Sequence, residues 1–254
     1  MAAVFSLRAP SICFHPRLSL CQNSYSNLNP QKMAKIGGVS STATPNTERK
    51  LPILLFDIMD TVVRDPFYHD VPAFFGMTLK ELIECKHPNA WIEFEKGIID
   101  EMELAGKFFK DGRPFDLEGL KYCMKSGYSY VEGIEELLFD LKQNNYEMHA
   151  FTNYPIWYQL IEDKLKLSKY LSWTFCSCTN GKRKPDPEFY MGVLGQLRVD
   201  PSNCIFMDDR MKNVEAAIEL GIRGIHFKNA NALREELHLM GIGITTSGDH
   251  HELI

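Results

Sequence analysis

The 254 residues are enough for one large domain, or a domain with an insertion, and for a sizeable core. A composition of 44% hydrophobic and 24% charged residues is that of a globular chain, and no apolar run approaches the roughly 20 residues of a membrane-spanning helix, so no membrane span and no membrane partner are expected. The net charge of −5 hides an uneven split: residues 1–46 contain Arg8, Arg17, Lys32 and Lys35 and no acid, so the remainder is strongly acidic and excludes nucleic acid as the main partner.

The leader, 1–46, is rich in Ser, basic and without a long apolar core, the composition of an organelle transit peptide rather than a secretory signal. Its Met-Ala start and hydroxylated character point to the plastid, so a chloroplast location is expected. After Lys50 the chain alternates. "PILLFDI" (52–58) is a short continuous apolar run, the pattern of a strand buried on both faces. Some seventy residues then follow with helical stripes only, in 71–86, 89–111 and 116–127. A wholly helical insertion directly after the first strand reads as a lid over that strand's end.

The spacing predicts a helix over 131–144, with Ile134, Leu137, Leu138 and Leu141 on one side, and strands at 146–153, 171–177, 204–209 and 222–227. A further helix, 212–221, is expected to stop at Gly221. Strands separated by helices of this length imply a doubly wound parallel α/β sheet, with ligands bound beyond the carboxyl ends of the strands. Cys176 and Cys178 stand two apart in an expected strand and so share one face, which suits neither a zinc knuckle nor a disulfide. All five cysteines after the leader read as reduced and mostly buried.

The strand ends carry the chemistry. The first ends in Asp57, the second in Thr152 and Asn153, and the fourth in Asp208 and Asp209, while Lys184 precedes Pro185 just before a helix. Carboxylates from neighbouring parallel strands can hold a hard cation such as Mg²⁺. A lysine and a threonine facing the same point would neutralise and hydrogen-bond a phosphoryl group, and Asp57 could attack phosphorus.

In this order the segments "FDIMDTVV", "HAFTN", "KRKPDPEFY" and "CIFMDDRMKNVEAA" resemble the four motifs of the haloacid dehalogenase superfamily, and "NAWIEFEKGIIDEMELAGKFF" resembles a stretch of its helical cap. The resemblance implies a Rossmann-like core over 47–64 and 131–254 with a cap over 65–130. It also implies a Mg²⁺-dependent phosphomonoesterase with Asp57 as nucleophile, working through an aspartyl phosphate. The metal would take Asp57, the backbone carbonyl of Met59 and Asp209, with Asp208 assisting. Likeness to plastid members of the superfamily makes FMN, dephosphorylated to riboflavin, the leading substrate.

Phosphatases of this superfamily usually carry a second Asp two residues after the nucleophile, as acid for the leaving alcohol and then base for water. Here that position is Met59, and Asp60 follows it. Three readings stay open: an FMN phosphatase that is slow or draws its proton from Asp60, Asp65, His69 or water; a hydrolase for another phosphate ester, or for a substrate such as a haloacid that needs no acid; and a weakly active scaffold for a phosphorylated ligand. Phe67, Tyr68, Trp91, Tyr154 and Trp157 are expected near the mouth, where an isoalloxazine ring would stack on them.

Overall fold

The computed structural model describes residues 51–244, and the leader assigned to 1–46 lies outside them. The first strand, β1 (Ile53–Phe56), is buried throughout. Its side chains alternate between faces: Leu54 and Phe56 join one apolar cluster, Ile53 and Leu55 another. Such a strand must be covered on both sides.

Four further strands, β2 (Met148–Thr152), β3 (Ser172–Cys176), β4 (Cys204–Asp208) and β5 (Arg223–His226), complete the sheet in the order β3-β2-β1-β4-β5, every pair parallel. The chain moves outward from β1 first on one side and then on the other. A crevice therefore opens between β1 and β4, the reversal point at which open α/β sheets bind ligands. All five expected strands are present, trimmed by a residue or two at most ends.

Between β1 and residue 131 lie six helices: α1 (Pro66–His69), α2 (Val71–Phe74), α3 (Leu79–Cys85), α4 (Ala90–Glu95), α5 (Glu101–Lys107) and α6 (Leu117–Gly127). The stripes expected over 71–86 and 89–111 are each broken in two, at Gly76 (φ +65°) and Gly97 (φ +66°). Thr78 with Glu81, and Asp100 with Glu103, restart the helices through reciprocal capping boxes. The Gly97 position admits nothing larger, since a Cβ there would lie 2.4 Å from the carbonyl oxygen of Cys178. Two strands of chain join the insertion to the sheet, tied by bonds from Arg64 N to Ser129 O (2.9 Å) and from Val131 N to Val62 O (3.0 Å).

The remaining helices flank the sheet. From α7 (Ile134–Gln143), α8 (Tyr158–Leu165) and α12 (Ala230–Leu239), the residues Leu137, Leu141, Ile161 and Leu233 pack in the cluster with Leu54 and Phe56. The short α9 (Ser177–Asn180) follows β3. From α10 (Pro187–Leu197) and α11 (Met211–Glu219), Phe189, Val193 and Ala217 pack against Ile53 and Leu55. Gly221 follows the end of α11 with φ +84°, in its expected stop position. The first turn of the helix expected from 131 is a loop instead, because α7 begins after Gly133 in the left-handed region.

The cysteines depart from expectation in two respects. β3 stops at Cys176 and the chain turns into α9, so Cys178 is not on the strand and shares no face with Cys176. The five described cysteines are free, but only Cys176 and Cys204 are fully buried; Cys85, Cys123 and Cys178 are half-buried. No helix among the described residues is long and apolar enough to cross a membrane.

Candidate active site

Strand register builds the centre of the site. Phe56 pairs with Met207, and Asp57 N donates to Met207 O at 2.9 Å, so the two strands release Asp57 and Asp208 side by side. Carboxylate oxygens of Asp57, Asp208 and Asp209 lie within 4.8 Å of one another. Three like charges at that spacing repel strongly unless cations compensate them.

Lys184 is one such cation. Its side chain is 1% exposed, and Nζ donates to Asp57 Oδ1 (2.9 Å), Asp208 Oδ2 (2.7 Å) and Phe151 O (2.6 Å). Three acceptors match the three protons of an ammonium. Burial works against its charge, but Asp208 and Asp57 outweigh burial and hold its pKa above the ordinary value. Asn153 fixes the segment: its side chain accepts from Lys184 N (2.7 Å) and donates to Lys184 O (2.9 Å).

The two acids ending β4 have different surroundings. Asp208 is saturated: besides Lys184 it accepts from Arg210 N (2.8 Å) and from Asn213 Nδ2 with both oxygens (3.0 and 2.9 Å). Asp209 is anchored through its backbone, N donating to Thr61 Oγ1 at 3.1 Å, while its buried Oδ1 has no hydrogen-bond partner. An orphaned carboxylate oxygen among acids is what a bound cation would satisfy, and an all-oxygen donor set suits Mg²⁺. The Met59 carbonyl accepts no hydrogen bond from the described residues, which leaves it free as a further oxygen donor. Burial pushes the Asp57 carboxyl above its usual range against the pull of Lys184, with Asp208 and Asp209 adding to the rise; a cation among the three reverses that balance.

Thr152, ending β2, is fully buried and its Oγ1 also has no partner. A donor left unmatched at the end of the strand paired with β1 is suited to a phosphoryl oxygen. Asp60 is held differently. It adopts φ +56°, and its Oδ1 accepts from Asp65 N at 2.9 Å, so one oxygen braces the loop leading into the insertion.

A cavity of about 190 Å³ adjoins this centre, lined not by Asp57, Thr152, Lys184 or Asp209 but by their chain neighbours and by the insertion. Met59, Asn153, Tyr154, Arg183 and Arg210 line it from the sheet side; Asp65, Phe67, Tyr68, Lys86, Trp91 and Glu95 face them from the insertion. Four of the five aromatics expected at the mouth are there. Trp157 is not: it is buried between Trp91 and Phe94, with Nε1 donating to Glu101 Oε1 at 2.7 Å, so it packs the insertion onto α8. His69 is exposed and does not line the cavity.

Several residues of the site were not anticipated. Arg183 pairs with Glu95 of α4 (Nη2 to Oε2, 3.0 Å), Ser177 Oγ donates to Glu95 O, and Gly97 abuts Cys178. Together these bind the insertion to the loop that carries Lys184. Thr61 and Asn213 hold Asp209 and Asp208. The only cue to Asn213 was an Asn in the first turn of a helix after two acids. Arg183 and Arg210 adjoin the expected Lys184 and Asp209, yet nothing in their spacing shows that both side chains meet the insertion.

A sheet with its reversal point at β1/β4, carrying Asp57, Lys184, Asp208 and Asp209 at one locus, defines a class, and comparison with known proteins agrees. The chain belongs to the haloacid dehalogenase-like hydrolase family, whose model matches residues 53–221. It is 65% identical over 208 residues to the chloroplastic flavin mononucleotide hydrolase 1 of Arabidopsis thaliana, covering 82% of this chain and 85% of that protein. It is 26% identical over 200 residues to phosphoglycolate phosphatase 1 of Pseudomonas aeruginosa, covering 72% of each. Among solved structures, a haloacid dehalogenase family enzyme of Bacteroides thetaiotaomicron in complex with magnesium and inorganic phosphate shares the fold, with a TM-score of 0.60 at 19% identity over 70% of this chain and 95% of that one.

Proposed function

We propose that the protein is a Mg²⁺-dependent phosphomonoesterase that hydrolyses FMN to riboflavin and phosphate. The single observation that carries the reaction type is Lys184 Nζ, buried and bonded to both Asp57 and Asp208, beside Asp209 with a free oxygen. The choice of FMN rests on the 65% identity to a flavin mononucleotide hydrolase, and the aromatic side chains that line the cavity are of the kind that stacks on a flavin ring. A plastid location is supported by the basic, acid-free leader 1–46 and by that relative's chloroplastic name. In this reading residues 47–64 and 131–254 form the core and 65–130 the cap.

Asp57, Asp209 and the Met59 carbonyl would hold the cation, with Asp208 anchoring Lys184 beside them; when bound, Mg²⁺ neutralises the acids and draws charge from the phosphoryl oxygens. The Thr152 hydroxyl is the donor left to orient the phosphoryl group, while the Lys184 ammonium, its protons held by Asp57, Asp208 and Phe151 O, supplies positive charge where negative charge develops. Asp57 attacks phosphorus and becomes an aspartyl phosphate, which water then hydrolyses. The cap keeps other water away from the intermediate. Met59 has no proton to give a departing ribityl oxygen, so that proton must come from elsewhere in the cavity.

The full chain assayed with Mg²⁺ against FMN, phosphoglycolate and a sugar phosphate tests this. Riboflavin release that stops with EDTA is expected; release from the other esters alone would reject FMN as substrate.

A further inference from the structure

We propose that Asp65 is the general acid and base of this site, standing in for the carboxyl that Met59 lacks. The inference rests on the phosphomonoesterase reading above.

Asp65 and Met59 line the same cavity, together with Asn153, which grips the Lys184 backbone. Asp65 belongs to the insertion, not to the loop of the nucleophile: it is the N-cap of α1, with Oδ1 accepting from Phe67 N at 2.9 Å and Pro66 following in the first helical position. Its backbone N is held by Asp60 Oδ1. Position and rotamer are thus set from both ends, while Oδ2 bonds to none of the described residues. One oxygen is structural and the other is left for the cavity.

The other acids near the cavity are committed. Asp60 does not line the cavity, and its Oδ1 accepts from the Asp65 amide. Glu95 is paired with Arg183. The Tyr154 hydroxyl is buried against that of Tyr128 at 2.7 Å, and burial raises its pKa well above 10.0. Asp65 is faced by Asp60 from the β1 loop, Glu95 from α4, Tyr128 and Tyr154 from the segments after α6 and β2, and Arg210 from the segment after β4. Burial dominates this mixture and pushes the Asp65 carboxyl up to about 7, against the Phe67 amide. A carboxylic acid that keeps its proton near neutrality is the form an acid catalyst needs.

The step balances. As Asp57 attacks, the bond from phosphorus to the ester oxygen breaks with its electron pair on that oxygen, and Asp65 supplies the proton that makes it an alcohol. The Asp65 carboxylate then takes a proton from the water that attacks the aspartyl phosphate, so phosphate leaves and Asp57 and Asp65 return to their starting states.

The test compares leaving-group release in the first turnover by wild-type protein and D65N, with Mg²⁺, from FMN and from p-nitrophenyl phosphate, whose phenolate leaves without a proton. Asparagine keeps an oxygen for the Phe67 amide, and a cooperative thermal melt no lower than that of wild type at pH 6 checks that the fold survives. D65N is expected to slow riboflavin release about 10²- to 10⁴-fold and p-nitrophenolate release less than about threefold. The fall in wild-type riboflavin release above about pH 7, where the acid loses its proton, should disappear in D65N. Equal losses on both esters, or none on either, would overturn the assignment. If wild-type protein cleaves phosphoglycolate but not FMN, the substrate reading fails alone, and the same comparison with phosphoglycolate decides Asp65. Wild-type inactivity on every ester would overturn both.

Discussion

The strand-end cluster and the cavity above it differ in how completely their polar groups are matched. At the strand ends Lys184 spends all three protons on fixed acceptors, Asp208 receives from three partners, and the backbone register of β1 and β4 sets the spacing. In the cavity, arginines, a lysine, two acids and four aromatics arrive from six separate segments, and Asp65 keeps an oxygen unmatched. On the proposed function, the first region would bind what every phosphate ester shares, and the second would meet the leaving group, the part that differs between substrates. Its residues come largely from an insertion that can change without disturbing the sheet.

The largest effect should come from the shared region. D57N removes the nucleophile and is expected to lower FMN turnover by more than about 10³-fold while p-nitrophenyl phosphate falls equally, because neither ester can bypass the first bond. A variant retaining turnover on either ester would separate the two regions in the wrong place. K184M comes next. It leaves Asp57 and Asp208 buried without their cation, a loss on the order of 3–5 kcal/mol by urea unfolding in EDTA. Adding Mg²⁺ should recover more stability in K184M than in wild-type protein, since only the variant lacks another charge against the acids; equal recovery would place the cation elsewhere.

The smallest effect sharpens the contrast from the other side. Folding raises the Asp65 pKa from 3.8 to about 7, so the folded state favours the protonated acid. Its contribution to stability is complete below 3.8 and is lost as pH rises through about 7. D65N has no such charge to bury. Its melting temperature relative to wild type should therefore climb between pH 5 and pH 8. A flat difference would mean that Asp65 titrates as an ordinary exposed acid. A group kept for chemistry at the expense of stability is what an active site holds.

Legibility in the sequence followed the same division. "PILLFDI" and "CIFMDD" showed buried strands ending in acids, and with Lys184 they marked the cluster that the fold assembles. The helical character of the insertion was also visible, but not its breaks at Gly76 and Gly97, where a left-handed residue interrupts an otherwise continuous apolar stripe. Trp157 and Cys178 were misplaced for one reason: each lies just past a strand end, where the chain turns and alternation no longer tells which way a side chain points. Asp65 could be named as one of four candidate proton donors. Its burial, its free oxygen and the commitments of Asp60 and Glu95 could not be seen.

By itself, then, the sequence determined the α/β core, the order of the four motifs and which side chains, Asp57, Lys184, Asp208 and Asp209, meet at the strand ends. These depend on strand ends, and a parallel sheet brings strand ends together whatever the details. Only the tertiary structure decided how the insertion sits on the strand ends, and hence that Glu95 meets Arg183, that Trp157 packs away from the cavity and that Asp65 opens into it. Those contacts join residues far apart in the chain through side chains, and neither periodicity nor spacing carries that information.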